Sequence, residues 1–377
     1  MPLAYRPRII LPVINDLAGD QRMHRIASTL AGAGCEVLLV GRLLPTSQPL
    51  APRPYRTHRM RLRLQRGKLF YAAFNLRLLW LLLLRPADII VANDLDTLLP
   101  CYLAARLRRR TLIYDSHELF TEVPELVHRP RTRQVWCWLE GWLFPRLRHV
   151  YTVNASLARI YEERYGVPVA VVRNLPLRRP APLPAPRARI LIYQGALNLG
   201  RGIDLMIRAM CHLDDCRLWI VGRGDVEDSL HQLAADLGLG DRVVFHGFRP
   251  WEELAAYTAQ AALGLSLEED LGANYRYASP NKVYDYIQAH TPVIVSDLPE
   301  MAALVRSRGV GEVLADRDSA ALAALVRVML GDTDRYRRYV EACAAAAETL
   351  HWEAEQMHLL AVYAQAWPTQ PFVRPGG

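Results

Sequence analysis

The sequence predicts an α/β protein of two doubly wound, Rossmann-like domains. Three observations predict it. Short apolar runs rich in β-branched residues alternate with helical stretches, the pattern of a parallel sheet wrapped by helices. The scheme runs once before a proline-dense segment near residue 180 and once again after it. A length of 377 residues also exceeds what a single core usually organises and suits two domains of ordinary size.

In the first domain, residues 1–175, strands are expected at Ile9–Ile14, Glu36–Val40, Asp88–Ala92, Thr111–Tyr114, His149–Val153 and Ala170–Val172. Helices fall between them, as at Gln21–Ala33 and Ser156–Tyr165. The linker, residues 176–187, carries Pro176, Pro180, Pro182, Pro184 and Pro186. Proline at that density blocks both helix and ladder and gives a stiff, extended connector. The second domain, residues 188–351, has expected strands at Ile190–Gln194, Arg217–Val221, Val243–His246, Leu263–Ser266 and Pro292–Ser296. Its helices are expected at Ile203–Cys211, Val226–Leu237, Trp251–Ala259, Lys282–Gln288 and Ser319–Met329. An Ala-rich helical tail runs from about Thr333 to Trp367. Its last part, from about residue 352, is expected to return to the first domain. Two such domains facing each other form a deep cleft, and ligands of doubly wound sheets sit at the carboxyl ends of the strands. The loops after strands are therefore where the chemistry is sought.

The composition, 51% hydrophobic and 22% charged, is that of a folded globular chain and excludes a disordered one. Met1–Ile14 lacks the charged start, apolar core and small-residue cleavage site of an export signal. The six cysteines are scattered, with no Cys-x-x-Cys pair and no completed metal set, and read as thiols in a reducing compartment. Charge is unevenly spread. Residues 1–186 hold 28 Lys and Arg against 13 Asp and Glu, a net of +15, whereas residues 187–377 hold 18 against 25, a net of −7. The first half therefore suits an anionic surface. Codon bias explains why 44 of the 46 basic residues are Arg, but not why they crowd into one half. Nucleic acid is not the expected partner, because no nucleic-acid-binding motif accompanies the charge.

Four segments carry chemistry. Ser279-Pro280-Asn281-Lys282 reads as an N-cap, a proline at the first helical position and a helix whose positive end holds phosphate. Lys282, one of two lysines in the chain, adds charge there, and Asp285 lies at i+3, where a carboxylate can accept from a ribose diol. The stretch from Tyr193 to Gly202 is a strand-to-helix turn. Its Gly195, Gly200 and Gly202 permit close backbone approach, and Arg201 offers a fork for a diphosphate. By itself such a turn equally well serves as punctuation. In Asp115-Ser116-His117-Glu118 a histidine sits at a strand end between acids, suited to binding a sugar or relaying a proton. Asp20 and Arg22 follow the first strand, and Asp94 and Asp96 follow another. These acids either cap the helices behind them or bind sugar hydroxyls.

In this order the segments resemble the retaining glycosyltransferases of family 4, which have the GT-B architecture. The closest stretches are Asp20-Gln21-Arg22-Met23-His24, Asn93-Asp94-Leu95-Asp96, Asp115-Ser116-His117-Glu118, Arg173-Asn174, Arg201-Gly202 and Ser279-Pro280-Asn281-Lys282. They are similar to those of a bacterial subgroup. The resemblance implies that the second domain holds a nucleotide diphosphate sugar. Gly195, Arg201, Gly202, Ser279, Asn281, Lys282 and Asp285 would bind the nucleotide, with Arg201 on the phosphates and Asp285 on the ribose. His117, Arg201 and Lys282 would serve catalysis. Asp20, Arg22, Asp94, Asp115, Glu118 and Glu268 would face the sugar or acceptor. No cofactor and no obligatory metal are implied beyond the nucleotide sugar. The chain departs from the family at Tyr277, where the first acid of the Glu-x7-Glu motif would fall. Glu268, Glu269 and Asp270 stand upstream as substitutes. Ala196 also replaces the Arg that often follows the phosphate-loop glycine.

The implied reaction is transfer of a sugar, with retention, to a saccharide or lipid-linked acceptor, in cell-surface polysaccharide synthesis. Alternatives on the same fold are a nucleotide-sugar epimerase and a non-catalytic nucleotide-sugar binder. Replacing Arg201 or Lys282 by Ala is expected to slow transfer and leave the fold intact. The expected location is the cytoplasm, with the basic half a candidate for peripheral docking on the inner face of the membrane. Two surfaces qualify: Arg53–Lys68 followed by Leu69–Leu84, and Arg129–Arg148 with Trp136, Trp138 and Trp142. Leu69–Leu84, broken by Asn75 and Arg77, is short of the roughly 20 residues of a span and equally suits a helix buried against the sheet.

Overall fold

The computed structural model describes residues 5–65, 67–123, 126, 129–180 and 187–368. The chain divides into two compact units, Met1–Asn174 with Glu355–Gly377, and Leu175–Ala354. Residues 181–186 of the expected linker and 369–377 of the expected tail lie outside the described residues.

The first unit holds strands β1 (Arg8–Pro12), β2 (Glu36–Leu43), β3 (Arg56–Arg61), β4 (Ile89–Asn93), β5 (Thr111–Ser116), β6 (His149–Thr152) and β7 (Ala170–Val171). They form a parallel sheet of order β3-β2-β1-β4-β5-β6-β7. Around it lie α1 (Gln21–Gly32), α2 (Lys68–Leu84), α3 (Leu95–Arg108), α4 (Pro130–Leu143) and α5 (Ala155–Tyr165). Every residue of β4 is buried, as expected for a parallel strand covered on both faces. No helix among the described residues is long and apolar enough to cross a membrane. On α2, Phe70, Phe74, Leu78 and Leu82 are buried while Leu69, Leu76, Trp80 and Leu84 are exposed, so the helix both packs inward and leaves an apolar stripe outside.

The second unit repeats the plan with β8 (Ile190–Gln194), β9 (Arg217–Val221), β10 (Val243–Gly247), β11 (Leu263–Ser266), β12 (Val293–Ser296) and β13 (Gly311–Leu314). Their order is β10-β9-β8-β11-β12-β13, all parallel. Its helices are α6 (Ile203–Ala209), α7 (Glu227–Asp236), α8 (Trp251–Gln260), α9 (Ala273–Arg276), α10 (Asn281–Gln288), α11 (Pro299–Arg308), α12 (Ser319–Gly331) and α13 (Thr333–Ala347). One apolar cluster lies on each side of this sheet, the first around Leu191, Met206 and Leu218 and the second around Ile192, Tyr286 and Val293.

The final helix, α14 (Trp352–Ala366), starts in the second unit and passes into the first at Glu355. Glu355, buried in the first unit, accepts from the Arg173 backbone N–H at 2.8 Å and from its guanidinium at 2.9 and 2.6 Å. The expected continuous tail breaks between α13 and α14, and the Trp352 N–H that opens α14 donates to the Pro176 carbonyl at 2.7 Å.

Two strands escaped the sequence reading, and both lie at sheet edges. β3 is Arg-Thr-His-Arg-Met-Arg with only Met60 buried, a charged edge with no apolar run. β13 spans four residues and opens on Gly311, where a Cβ would lie 1.9 Å from the Val293 carbonyl oxygen. One helix start also needs correction. Pro280 is the N-cap of α10 at φ −64°, ψ 130°, not its first helical residue. The Ser279 hydroxyl pairs with the Tyr284 hydroxyl at 2.9 Å instead of capping.

Candidate functional site

In each sheet the strand order reverses direction beside the first strand, between β1 and β4 and between β8 and β11. Such switch points open a crevice at the carboxyl ends of the strands. The residues singled out from sequence gather at these two places.

In the first unit the centre is His117, just past β5. Its Nδ1 lies 3.0 Å from Asp94 and its Nε2 lies 3.0 Å from Asp115. The His117 backbone N–H also donates to Asp94, at 2.8 Å. Asp94 opens α3 without capping it, and its φ of 58° places a non-glycine residue in left-handed backbone. Such a conformation costs about 1–3 kcal/mol, and here it turns the carboxylate from the helix end to the imidazole. Asp115 is fully buried and accepts from Arg22, itself buried on α1, at 2.8 Å. Burial alone would raise the Asp115 pKa, but Arg22 and His117 hold it down to about 2. Burial likewise disfavours the imidazolium, yet Asp115 and Asp94 push the His117 pKa well above its ordinary value. The group is therefore an imidazolium clamped between two carboxylates, with both nitrogens engaged. Asp96, two residues past Asp94, is buried with Oδ1 unpartnered. Burial and then Asp94 push its pKa well up.

Asp20 caps α1 through the Met23 N–H at 3.0 Å. Glu118 contributes its backbone: its carbonyl accepts from Ser116 and Tyr161 at 3.1 and 3.0 Å.

In the second unit the centre is Glu268, fully buried just past β11. Its Oε1 lies 2.8 Å from Lys282 Nζ and 3.6 Å from an Arg201 guanidinium nitrogen. Its Oε2 accepts from the Ser266 hydroxyl at 2.7 Å. Burial would raise its pKa, but Lys282, Ser266 and Arg201 hold it below the ordinary value, so the carboxylate is ionised. Lys282 Nζ also sits 4.2 Å from the centre of the Tyr193 ring, and Arg201 lies over Tyr275 at 5.3 Å. Two cations on one carboxylate leave one positive charge in excess. Gly202, at φ 67°, makes this approach possible, because a Cβ there would lie 2.1 Å from the Leu267 carbonyl oxygen. Gly195, at φ 134°, turns the chain beside Lys282, whose Cε would be 3.5 Å from a Cβ. No side chain caps the start of α10, where Asn281 is exposed and Lys282 buried. Asp285, one turn along, accepts from Gln194 at 3.3 Å and forms an ion pair with Arg179 at 3.2 Å.

Arg179 and Arg317 were not singled out from sequence, and Tyr193 and Gln194 were read only as the strand end that opens the glycine turn. Arg317 donates to the Leu267 and Glu268 carbonyls at 2.8 and 3.0 Å and so braces the loop that carries Glu268. Strand-end position alone could have flagged Tyr193 and Gln194. Glu269 and Asp270 are paired with Arg317 and Arg276.

Residues 20–175 match the model of glycosyltransferase family 4, and residues 178–345 match that of the glycosyl transferases group 1. The chain belongs to the family 4 glycosyltransferases. It is 31% identical over 162 residues to a phosphatidyl-myo-inositol mannosyltransferase of Mycobacterium leprae, covering 43% of this chain and 41% of the relative. It is 28% identical over 195 residues to a D-inositol 3-phosphate glycosyltransferase of Nocardia farcinica, covering 48% and 42%. The matches thus span less than half the length of these relatives. Among solved structures, sucrose-phosphate synthase from Thermosynechococcus elongatus superposes with a TM-score of 0.76 at 20% identity, over 97% of this chain and 100% of that one. Anabaena HepE, in complex with UDP-glucose, gives 0.71 at 17% identity over 95% and 99%. The family 4 glycosyltransferase chain has the GT-B fold of these structures, with one Rossmann-like sheet in each unit.

Proposed function

We propose that this chain transfers a sugar, with retention of anomeric configuration, from a nucleotide diphosphate sugar to a saccharide or lipid-linked acceptor in cell-surface polysaccharide synthesis. The observation that carries the reading is the pair of cations, Arg201 and Lys282, held on the buried Glu268 at a switch point beside a glycine turn and an uncapped helix start. A diphosphate seated there meets excess positive charge and backbone N–H groups, and the same charges stabilise it as it departs. In this reading Asp285, one turn along the helix, meets the ribose, as the resemblance to the family implies. In this reading no metal ion is required to balance the diphosphate.

The clamped imidazolium of His117 donates to the transferred sugar by exchanging one of its carboxylate partners for a hydroxyl. Arg22 and Asp115 position it from below. Within each unit the carboxylates are already paired, Asp94 and Asp115 with His117 and Glu268 with Lys282, which favours attack on the donor face from which the diphosphate departs. A phosphate oxygen of the leaving group then takes the acceptor proton. The lipid and polysaccharide side of the proposal is supported by relatives named for phosphatidylinositol mannosylation and lipopolysaccharide core synthesis. The basic first half supports work at an anionic membrane surface on the cytoplasmic side.

The test is thermal unfolding with UDP, GDP and ADP and their glucose and mannose conjugates. A ligand at a hundred times its Kd adds about 2.7 kcal/mol, enough to move the transition by several degrees. A specific rise with one base supports the reading, and no rise with any member of the panel overturns it.

A further inference from the structure

The proposed membrane-side work leaves open where the chain would grip a lipid. At the amino ends of β5 and β6, opposite the ends that carry Asp115 and His117, lies a pocket of about 480 Å³. Arg106, Arg109, Arg110, Arg146 and Arg148 line it. Arg110 lies 3.5 Å from Asp88, a carboxylate it shares with Arg8. Among the described residues, Arg106, Arg109 and Arg148 make no ion pair with a carboxylate. Five guanidiniums around one cavity repel each other, and an anion seated among them relieves that repulsion.

A second observation lies on the rim. Tyr102, which lines the pocket, meets the Trp142 ring edge-on at 6.0 Å, and Arg146 lies over the same indole at 5.3 Å. Trp142 stacks on Trp138 with centroids 6.1 Å apart and planes 5° apart. Trp138 is 67% exposed, and Leu107, next to Arg106, is 70% exposed. Exposed indoles beside guanidiniums match the depth profile of a bilayer interface, where rings sit among the headgroups and arginines reach phosphates. A free phosphate ester would make no use of the indole pair.

We infer that this arginine-lined pocket, with the Trp138–Trp142 pair beside it, binds the phosphate of an anionic phospholipid headgroup and so seats the first unit on a membrane. The inference rests on the membrane-surface part of the proposed function and not on the transfer chemistry.

The test is co-sedimentation of the full chain with phosphatidylcholine vesicles, with and without phosphatidylglycerol. The wild type is expected to pellet only with the anionic vesicles and to be released by salt. Arg106→Gln/Arg109→Gln/Arg148→Gln should weaken partition on the order of a hundredfold, taking the usual contribution of each basic side chain near such a surface. Trp138→Ser/Trp142→Ser should weaken it as well while still binding glycerol 3-phosphate. Arg208→Gln/Arg217→Gln/Arg308→Gln removes as many exposed charges from the second unit and should leave partition unchanged. Equal loss in that control, or wild-type partition in the pocket variant, overturns the inference. Binding of glycerol 3-phosphate by the wild type without binding to anionic vesicles also overturns it. Thermal shifts with the nucleotide panel, unchanged in the pocket variant, keep failure here distinct from failure of the transferase reading.

Discussion

The Lys282 ammonium lies 2.8 Å from the Glu268 carboxylate, and both groups are buried. The pair explains why one of only two lysines in an arginine-biased chain sits in the first turn of a helix, where a cation is mildly unfavourable. It also changes what a substitution does, because each partner holds the other in place.

Removing Lys282 alone leaves a buried carboxylate with one distant cation. Lys282→Ala is expected to cost about 3–5 kcal/mol of stability, so loss of transfer in that variant must be read beside its folding. Lys282→Met/Glu268→Gln should recover most of that loss, because neither charge remains. Denaturant midpoints of the two variants measure the difference. Equal midpoints would mean that Glu268 is not ionised beneath Lys282.

His117 owes its raised pKa to Asp115 and Asp94 against the effect of burial. Asp94→Asn removes one of the two carboxylate charges and should move the imidazole titration, followed by proton NMR, toward lower pH. An unchanged titration would remove Asp94 from the clamp.

Acid and base should both loosen the first unit. Asp115 has a pKa depressed to about 2, so its contribution is present above the unfolded value near 4 and fades as pH falls from about 4 to 2. That span corresponds to about 2 kcal/mol. His117 is shifted the other way, so its contribution is complete below the unfolded value near 6.5 and fades as pH rises toward its folded pKa. Stability against pH should therefore level off between about 4 and 6.5. His117→Gln should flatten the alkaline limb, and a limb of wild-type steepness would assign the loss to another group.

Side-chain charge and a helix start balance the diphosphate in the proposed reaction. Turnover should then persist in EDTA at the rate seen with added magnesium. A loss restored by magnesium would require a metal at the donor phosphates.

The alternation of strands and helices was legible because central parallel strands such as β4 and β8 are buried throughout and apolar up to their last residues, Asn93 and Gln194. Edge strands were not. β3 exposes its arginines and β13 is only four residues long, so neither shows a buried run. That His117 and Arg201 lie in loops after strands and Lys282 at a helix start was legible, because the topology dictates where such segments gather. Their partnerships were not. Nothing in Glu268-Glu269-Asp270 says that the first acid is buried under two cations while the others pair with Arg317 and Arg276. Nor does sequence say that Asp94 leaves its helix end to hold an imidazole. Such choices depend on residues far apart in the chain meeting at one switch point.

The central claim is that Arg201 and Lys282 grip a nucleoside diphosphate. Calorimetric titration of the diphosphate selected by the thermal panel, beside its unphosphorylated nucleoside, tests it most directly. Arg201→Ala and Lys282→Met/Glu268→Gln should each weaken the diphosphate by about ten- to a hundredfold, the usual worth of a charged hydrogen bond, and leave the nucleoside unaffected. Wild-type affinity for the diphosphate in both folded variants would contradict the account.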